Sequence, residues 1–322
     1  MTRRAALIEW AYQRGYRVGL AGISLLEAVR EKLAKRREKG EFAPGFFEEN
    51  LSVFRYLEGV SMPRPESIIV VAVPSPAHIL KFELEAGLVE TILPPTYVRY
   101  RSLFESVRKD LADNVLGRDA NVETVQAPLK SLAVCLGLAS YGKNNITYIP
   151  ELGSYFQLAG YVTDIPLKTT ADDIQLERKL GLCASCRVCL KACPTGAITE
   201  DRFLIHAERC YTLRSESSQP IPPDVEPPSP DCLIGCLKCQ ELCPANKGLL
   251  KKEVADVSFT KEETLALLED GDFQDEDIAR SIQAKFGALA LSESVPIFRR
   301  NLRLLLRLKS KGLRHLSYGQ EA

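Results

Sequence analysis

Two short runs of cysteine carry most of the chemistry legible in this sequence. CASCRVCLKACP holds Cys183, Cys186, Cys189 and Cys193, and CLIGCLKCQELCP holds Cys232, Cys236, Cys239 and Cys243. The spacing C-x2-C-x2-C-x3-C-P is that of bacterial [4Fe–4S] proteins. Three thiolates on tight turns reach one cluster, and the fourth, before proline, is thrown across to the other. A pair of structural zinc sites is the alternative, but C-x2-C-x2-C crowding suits the corner of a cubane better than a zinc tetrahedron. Crosswise ligation assigns Cys183, Cys186, Cys189 and Cys243 to one cluster. The other takes Cys193, Cys236, Cys239 and one further thiolate, for which Cys232 and Cys210 compete. Proximity favours Cys232, although three residues rather than two separate it from Cys236. Cys210 lies beyond a proline-rich loop, and the entropy of closing such a loop grows only slowly with its length. On local grounds both stay open.

Other reactive residues carry weaker signals. Cys135, in PLKSLAVCLGLASYG, sits on an apolar helix face and reads as a packed thiol. GLASYGKN, residues 137–144, falls short of a phosphate-binding loop. Asn144 stands where a hydroxyl would ligate Mg²⁺, and a helix rather than a strand precedes the loop. The histidines, His78, His206 and His315, form no D-x-H-x2-G arrangement of the kind that ligates a corrinoid cobalt.

The elements that must position these residues follow from pattern. Residues 3–14 are helical, YRVGLAGI is a strand, and a second helix spans about 24–39. SIIVVAVPSP, residues 67–76, is a continuous β-branched run stopped by prolines, hence a buried central strand. Helices are expected at about 98–116 and 126–140, and GSYFQLAGYVTDIPL supplies another apolar strand. This mixture predicts a layered α/β or α+β domain over residues 1–175. Short cysteine-rich turns occupy 176–250. Within them TLRSESSQPIPPDVEPPSPD, six of whose twenty residues are proline, makes an extended excursion over 214–231 without a core of its own. From SFTKEETLALLED onward, a C-terminal segment, 251–322, is expected to be helical at about 261–269, 276–286 and 294–310, with Thr260 and Glu263 at capping-box spacing.

Composition narrows the function classes. Ten cysteines in 322 residues are too few for a disulfide scaffold, and their clustering points to metal. The start has neither a long apolar run nor a small-residue cleavage site, and no later stretch reaches the roughly 18 to 20 apolar residues that span a bilayer. A reducing cytoplasm and no membrane partner are expected. Forty-two basic residues balance forty-two acidic ones, so no global basic field draws the chain to nucleic acid. The basic stretches at 30–40 and 298–315 read as solvated helix faces.

Several segments together resemble the epoxyqueuosine reductase family, cobalamin-dependent iron–sulfur enzymes of tRNA queuosine synthesis whose cluster domain is distantly similar to that of corrinoid reductive dehalogenases. GLASYGKNNITYIPELGSYFQLAGYVTDIPL is similar to the family's Gly-Lys-Asn segment, its Leu-Gly-Ser and its strand ending Thr-Asp. CASCRVCLKACPTGAI matches the first cluster motif, and RCYT with IGCLKCQELCPANK the second. The resemblance implies that Cys210, after Arg209, completes the second cluster and that Cys232 is spare. It implies a nitroreductase-like corrinoid-binding domain, a ferredoxin-like double-cluster module and C-terminal helices. Cobalamin would be held by Gly142, Lys143, Asn144, Asn145, Gly153 and Ser154, without a protein histidine on cobalt. A low-potential donor of the ferredoxin or flavodoxin type would feed the clusters, and tRNA would be the substrate.

The departures from that family concern the proton. The resemblance implies as general acid an aspartate three residues before the proline of an alanine-proline or glycine-proline step, and here, aligned at Ala127-Pro128, that place is Val125. The family's Tyr-His pair is replaced by Leu103-Phe104. Losing a positioned donor costs about 10² to 10⁴ in rate. Glu123 or Tyr141 would then supply the proton, or the substrate differs, or the chain is a non-catalytic corrinoid-binding carrier, activator or electron-transfer protein.

Overall fold

The computed structural model describes residues 2–167, 177–221, 225–229 and 231–317, with the backbone alone for 310–317. The boundary expected at 175–176, part of the proline-rich excursion and the side chain of His315 lie outside the described residues.

The β-branched run forms β2 (Ser67–Pro74), a central strand as expected. It pairs antiparallel with β1 (Arg17–Gly22) on one side and β8 (Phe156–Thr163) on the other, and β5 (Val122–Thr124) completes the order β1-β2-β8-β5. Alternate side chains of a strand face opposite ways. Ile68, Val70 and Ala72, with Leu158 and Val162, pack beneath Leu26 and Val29 of α2 (Leu25–Glu38) and Leu132 of α5 (Leu129–Cys135). Ile69, Val71 and Val73, with Ala159 and Tyr161, pack against Leu7 and Trp10 of α1 (Arg3–Gln13) and Val107 of α4 (Tyr100–Asp110). Burial on both faces is why β2 reads as an unbroken apolar run.

Gly160 of β8 lets α5 lie close to the sheet, because a Cβ there would stand 2.4 Å from Leu129 Cδ2. The helix expected at 126–140 is shorter than its pattern. Pro128 precedes it and Gly137, at φ +69°, ends it. The helix expected at 98–116 closes in a π turn over Leu111–Leu116.

A second sheet was not foreseen. Ala77–Leu84 (β3) and Gly87–Leu93 (β4) form a hairpin, and Lys252–Phe259 (β9) joins β3 in parallel. Residues 252–259 thus precede the C-terminal helices as a strand. On this sheet pack α9 (Lys261–Leu268), α10 (Glu276–Ala288) and α11 (Val295–Ser317), through a file of rings. Phe82 stacks on Phe259 at 4.8 Å, and Phe286 lies 5.1 Å from both Phe259 and Phe298. Leu233 and Ile234, from the cysteine-rich region, enter the same core. No described helix is long and apolar enough to cross a membrane.

The basic stretches are more than solvated faces. Arg36, 8% exposed, pairs with Glu41 and Glu177 and lies over the Phe203 ring. On α11, Arg299 donates to the carbonyls of Ala266, Leu267, Glu269 and Gly271 around the end of α9. Arg300 donates to those of Arg214, Ser215, Ser217 and Gln219 around the end of α7 (Tyr211–Glu216), a helix inside the region expected to be extended. Carbonyls left without partners at a helix end favour such cations.

The Thr260 and Glu263 capping box is formed, and Glu263 also accepts from Ser281 (2.6 Å) and Lys285 (2.5 Å). Burial pushes the Glu263 carboxyl up, but these hydrogen bonds and the Lys285 charge outweigh it and leave its pKa below the ordinary 4.5. Its stabilisation is therefore full above about pH 4.5 and lost as pH falls through the lower folded value. Glu263→Gln should lower unfolding free energy by on the order of 3 kcal/mol. Denaturant titrations at pH 7 and near pH 3 should show the difference between variant and wild type shrinking in acid.

A cofactor-sized cavity flanked by eight cysteines

Between the β5–β8 edge of the first sheet and the cysteine-rich region lies a cavity of about 1190 Å³. Its walls include Val125 and Gln157 at the sheet edge, Leu129 and Lys130 of α5, and the aromatic segment 42–54, which carries α3 (Phe46–Asn50). Cys193, Cys210, Cys236 and Cys239 line it too. Cys183, Cys186, Cys189 and Cys243 line a second, small cavity with Gly142, Lys143, Asn144 and Tyr148. Four cysteines thus line each cavity, Cys210 among those of the large one and Cys232 in neither.

Local folding explains each position. Cys189 lies on α6 (Val188–Ala192), Cys193 caps its C-terminus, and Cys210 is the N-cap of α7. Cys236 and Cys239 sit just before and on α8 (Lys238–Glu241), and Cys243 precedes the turn at Pro244. Among the described residues no three His, Cys, Asp or Glu side chains converge closely enough to hold a single ion; each set stands around a space. Burial pushes the thiols of Cys189 and Cys236 up to about 11 and that of Cys239 to about 12. Metal uptake therefore releases protons here. Cys193 is the exception: burial raises its thiol, but hydrogen bonds from the Thr195 hydroxyl and the N–H groups of Thr195, Ala197 and Ile198 bring it below its ordinary value.

Cys232 faces neither cavity. It is 4% exposed, its thiol donates to the Ile234 carbonyl at 3.1 Å, and its backbone bridges to Ile92 beside β4. Cys135 is buried in the first core, as expected.

The Gly-Lys-Asn segment links the two cysteine sets. It forms the turn between β6 (Ser140–Tyr141) and β7 (Thr147–Tyr148). Lys143 Nζ donates to the Cys186 carbonyl at 3.1 Å and meets Glu200 at 3.5 Å, so it is engaged at the small cavity and does not face the large one. Asn144, 3% exposed, donates to Tyr148 Oη at 2.8 Å and to the Cys239 carbonyl at 3.4 Å, bridging from one set to the other. Asn145 lines the large cavity, and its buried Nδ2 has no partner among the described residues. Gly153 does not line it: at φ +61° it is pressed against Asn246, whose Oδ1 would be 2.3 Å from an added Cβ. Ser154 N donates to the same Oδ1 at 2.9 Å, and Ser154 Oγ accepts from Asn246 and donates to Gln240. Gly153-Ser154 is a joint between sheet and cysteine region, with Ser154 at the cavity wall.

The proton-donor candidates separate. Glu123 does not line the cavity; its carboxylate accepts from the Ser61 N–H at 2.8 Å and the Ser61 hydroxyl at 2.9 Å. Tyr141 does line it, 7% exposed, with its hydroxyl 3.1 Å from Ser131 Oγ and burial pushing its pKa up to about 12. Val125 is 3% exposed, and Phe104 lines the cavity while Leu103 does not. His78 and His206 are not lining residues.

Sequence reasoning missed a charged group in this cavity. Lys130 lines it, exposed, and desolvation lowers its pKa against the opposing charges of Glu216, Cys210 and Cys239. Glu216, at the end of α7, is hydrogen bonded by Tyr97, and burial raises its carboxyl. Their positions, scattered over 120 residues, follow no motif.

Fold and site define a class: an α+β protein with a double iron–sulfur-cluster domain beside a cavity of cofactor size. Residues 182–246 match the family described as a 4Fe-4S double cluster binding domain. The epoxyqueuosine reductase of Bacillus subtilis is 26% identical over 253 residues, 75% of this chain and 63% of that protein. The structure of epoxyqueuosine reductase from Streptococcus thermophilus superposes with a TM-score of 0.68 at 21% identity, covering 95% of this chain and 81% of that one. Another epoxyqueuosine reductase, crystallised with an epoxyqueuosine-modified tRNA-Tyr stem loop, superposes at 0.66 and 22% identity over 94% and 80%. Along most of its length the chain is thus similar to epoxyqueuosine reductases, at low identity. It matches less than two thirds of the length of the Bacillus subtilis relative.

Replacing Cys210 by alanine should lower bound iron from about eight per chain after anaerobic reconstitution, whereas Cys232→Ala should leave the count unchanged. Iron and sulfide analysis of the two variants decides between them.

Proposed function

We propose that this protein is a cobalamin-dependent iron–sulfur reductase of the epoxyqueuosine reductase type. One [4Fe–4S] cluster is held by Cys183, Cys186, Cys189 and Cys243, the other by Cys193, Cys210, Cys236 and Cys239. The observation that carries the reading is that the second set of four thiols lines the same cavity that would admit a tetrapyrrole. Small-molecule sites usually measure about 300 to 1000 Å³, so this one suits a large cofactor. Its residues fit: the orphaned Asn145 amide and the Ser154 wall supply polar groups for corrin side chains, and Val125 and Leu129 supply apolar surface. Neither His78 nor His206 is placed to ligate cobalt. When bound, the cobalamin would supply a strongly reducing cobalt for an electrophilic carbon or oxygen centre.

The chain's own part is to relay electrons, orient the substrate and move a proton. The Cys183 and Cys193 sets would hold clusters able to pass single electrons from a ferredoxin- or flavodoxin-type donor, and Asn144 bridges the two sets. An epoxyqueuosine-modified tRNA is the substrate that the relatives suggest, and the cytoplasm is the compartment. A carrier or electron-delivery role is favoured by one observation, the absence of Glu123 from the cavity wall.

Anaerobic titration of the reconstituted protein with cobalamin, read by absorbance and electron paramagnetic resonance, tests the proposal. A shifted base-off Co(II) signal is expected, weakened in Asn145→Ala; full iron with no corrinoid response would end it. Binding of a tRNA stem loop should weaken steeply with salt, and no binding even at low salt would remove the tRNA substrate.

A further inference from the structure

Exposed apolar side chains gather at one of the two cysteine sets. Among the described residues eleven large hydrophobic side chains stand exposed, and three of them directly precede cysteines of the small cavity: Leu182 before Cys183, Val188 before Cys189 and Leu242 before Cys243. Leu182 and Val188 line that cavity themselves, and Leu242 caps α8 next to Cys243. The residues before Cys193, Cys210, Cys236 and Cys239 are Ala192, Arg209, Gly235 and Lys238, so the other set has no such collar. A single exposed leucine is ordinary, whereas a group of them around one site marks a contact surface. Cys183 and Cys186 are half-buried in a turn, 181–188, whose other residues are exposed, so a second molecule can come up to this set.

The segments that carry the set are basic in a chain whose charges balance. Residues 178–193 hold Arg178, Lys179, Arg187 and Lys191 and no acidic residue, and residues 238–252 hold four lysines and one glutamate. Arg187 is paired with Glu200 at 2.7 Å, but Lys191 and Lys247 are exposed and make no ion pair among the described residues. An apolar centre with a basic rim fits a partner that has an apolar centre and an acidic rim. Nucleic-acid phosphates would answer the lysines but not Leu182, Val188 and Leu242, which favours a protein.

We propose that Leu182, Val188 and Leu242, rimmed by Lys191 and Lys247, form the docking face for a small acidic one-electron carrier protein. The inference deepens the reductase reading by placing its electron donor, and it rests only on the part of that reading in which the Cys183 set holds a cluster. In each encounter the carrier is oxidised by one electron and the cluster is reduced by one, with no bond made or broken. Encounters of this kind are small and brief, so the rim charges govern their rate and its dependence on salt.

The test uses the full chain with its clusters reconstituted, without cobalamin or tRNA, mixed anaerobically with flavodoxin hydroquinone. Growth of the flavin semiquinone absorbance gives a second-order rate constant, which should fall steeply as salt is added. Reversing both charges, Lys191→Glu with Lys247→Glu, should lower it about tenfold or more at low salt, with the iron content unchanged. Leu242→Ser should lower it at every salt concentration, and Arg280→Glu, on α10 of the second core, should leave it as it is. Carbodiimide, which joins amines to carboxylates, should link flavodoxin to Lys191 or Lys247, as mapped by mass spectrometry. A rate indifferent to the double reversal, or links only to other lysines, would overturn the proposal. So would a tRNA stem loop whose binding is lost in the double variant while flavodoxin still reduces it at the wild-type rate, since the face would then belong to nucleic acid. Failure of the loaded protein to reduce an epoxide would count against the reductase reading and leave this face untouched.

Discussion

Eight thiols on short, weakly structured turns must be held against a rigid sheet, and the side-chain amides of Asn144 and Asn246 do most of that holding. Asn246 ties the Gly153-Ser154 turn before β8 to α8, and Asn144 ties the β6–β7 turn to the Cys239 carbonyl. Both amides are nearly fully buried, so each unmade hydrogen bond would cost on the order of 1 to 3 kcal/mol. That cost makes the joint specific. It fixes the Cys193 set at the mouth of the sheet edge and thereby creates the cavity between them.

The glycines of the joint follow from the same constraint. No side chain fits at Gly153 without displacing the Asn246 carboxamide, and the left-handed backbone there turns the chain into β8. The residues that the family resemblance assigns to the cofactor are thus divided by use. Gly142, Lys143, Gly153 and Ser154 secure the cysteine turns, while Asn145 remains for the cavity. A short motif can serve assembly and binding at once, because the same loop reaches both cysteine sets.

Charge follows a similar logic. The arginines of α11 look like a solvated stripe in sequence, yet Arg299 and Arg300 spend their guanidinium donors on carbonyls at the ends of α9 and α7. Through Arg300 the C-terminal helix bears on the segment between Cys210 and Glu216. The second sheet and its phenylalanine file anchor that helix, so the two cores act on one cavity from opposite sides.

The cysteine sets, the central strand and the capped helix at Thr260 were legible in the sequence, since each depends on residues a few positions apart whose spacing carries the geometry. The alternation in Ala77–Leu93 and Lys252–Phe259 was there to be read, but short strands compete with helical signals from neighbouring residues. Cys210 and Cys232 were both open on local spacing, and the family resemblance favoured Cys210; only the tertiary structure shows that the Cys232 thiol is spent on the Ile234 carbonyl in a packed core while Cys210 lines the cavity. Whether Glu123 could reach the cavity was decided likewise, by the Ser61 hydroxyl and N–H that claim its carboxylate. Tyr97, Lys130 and Glu216 line one cavity only because separate segments enclose it, and no pattern along the chain encodes a distance across it.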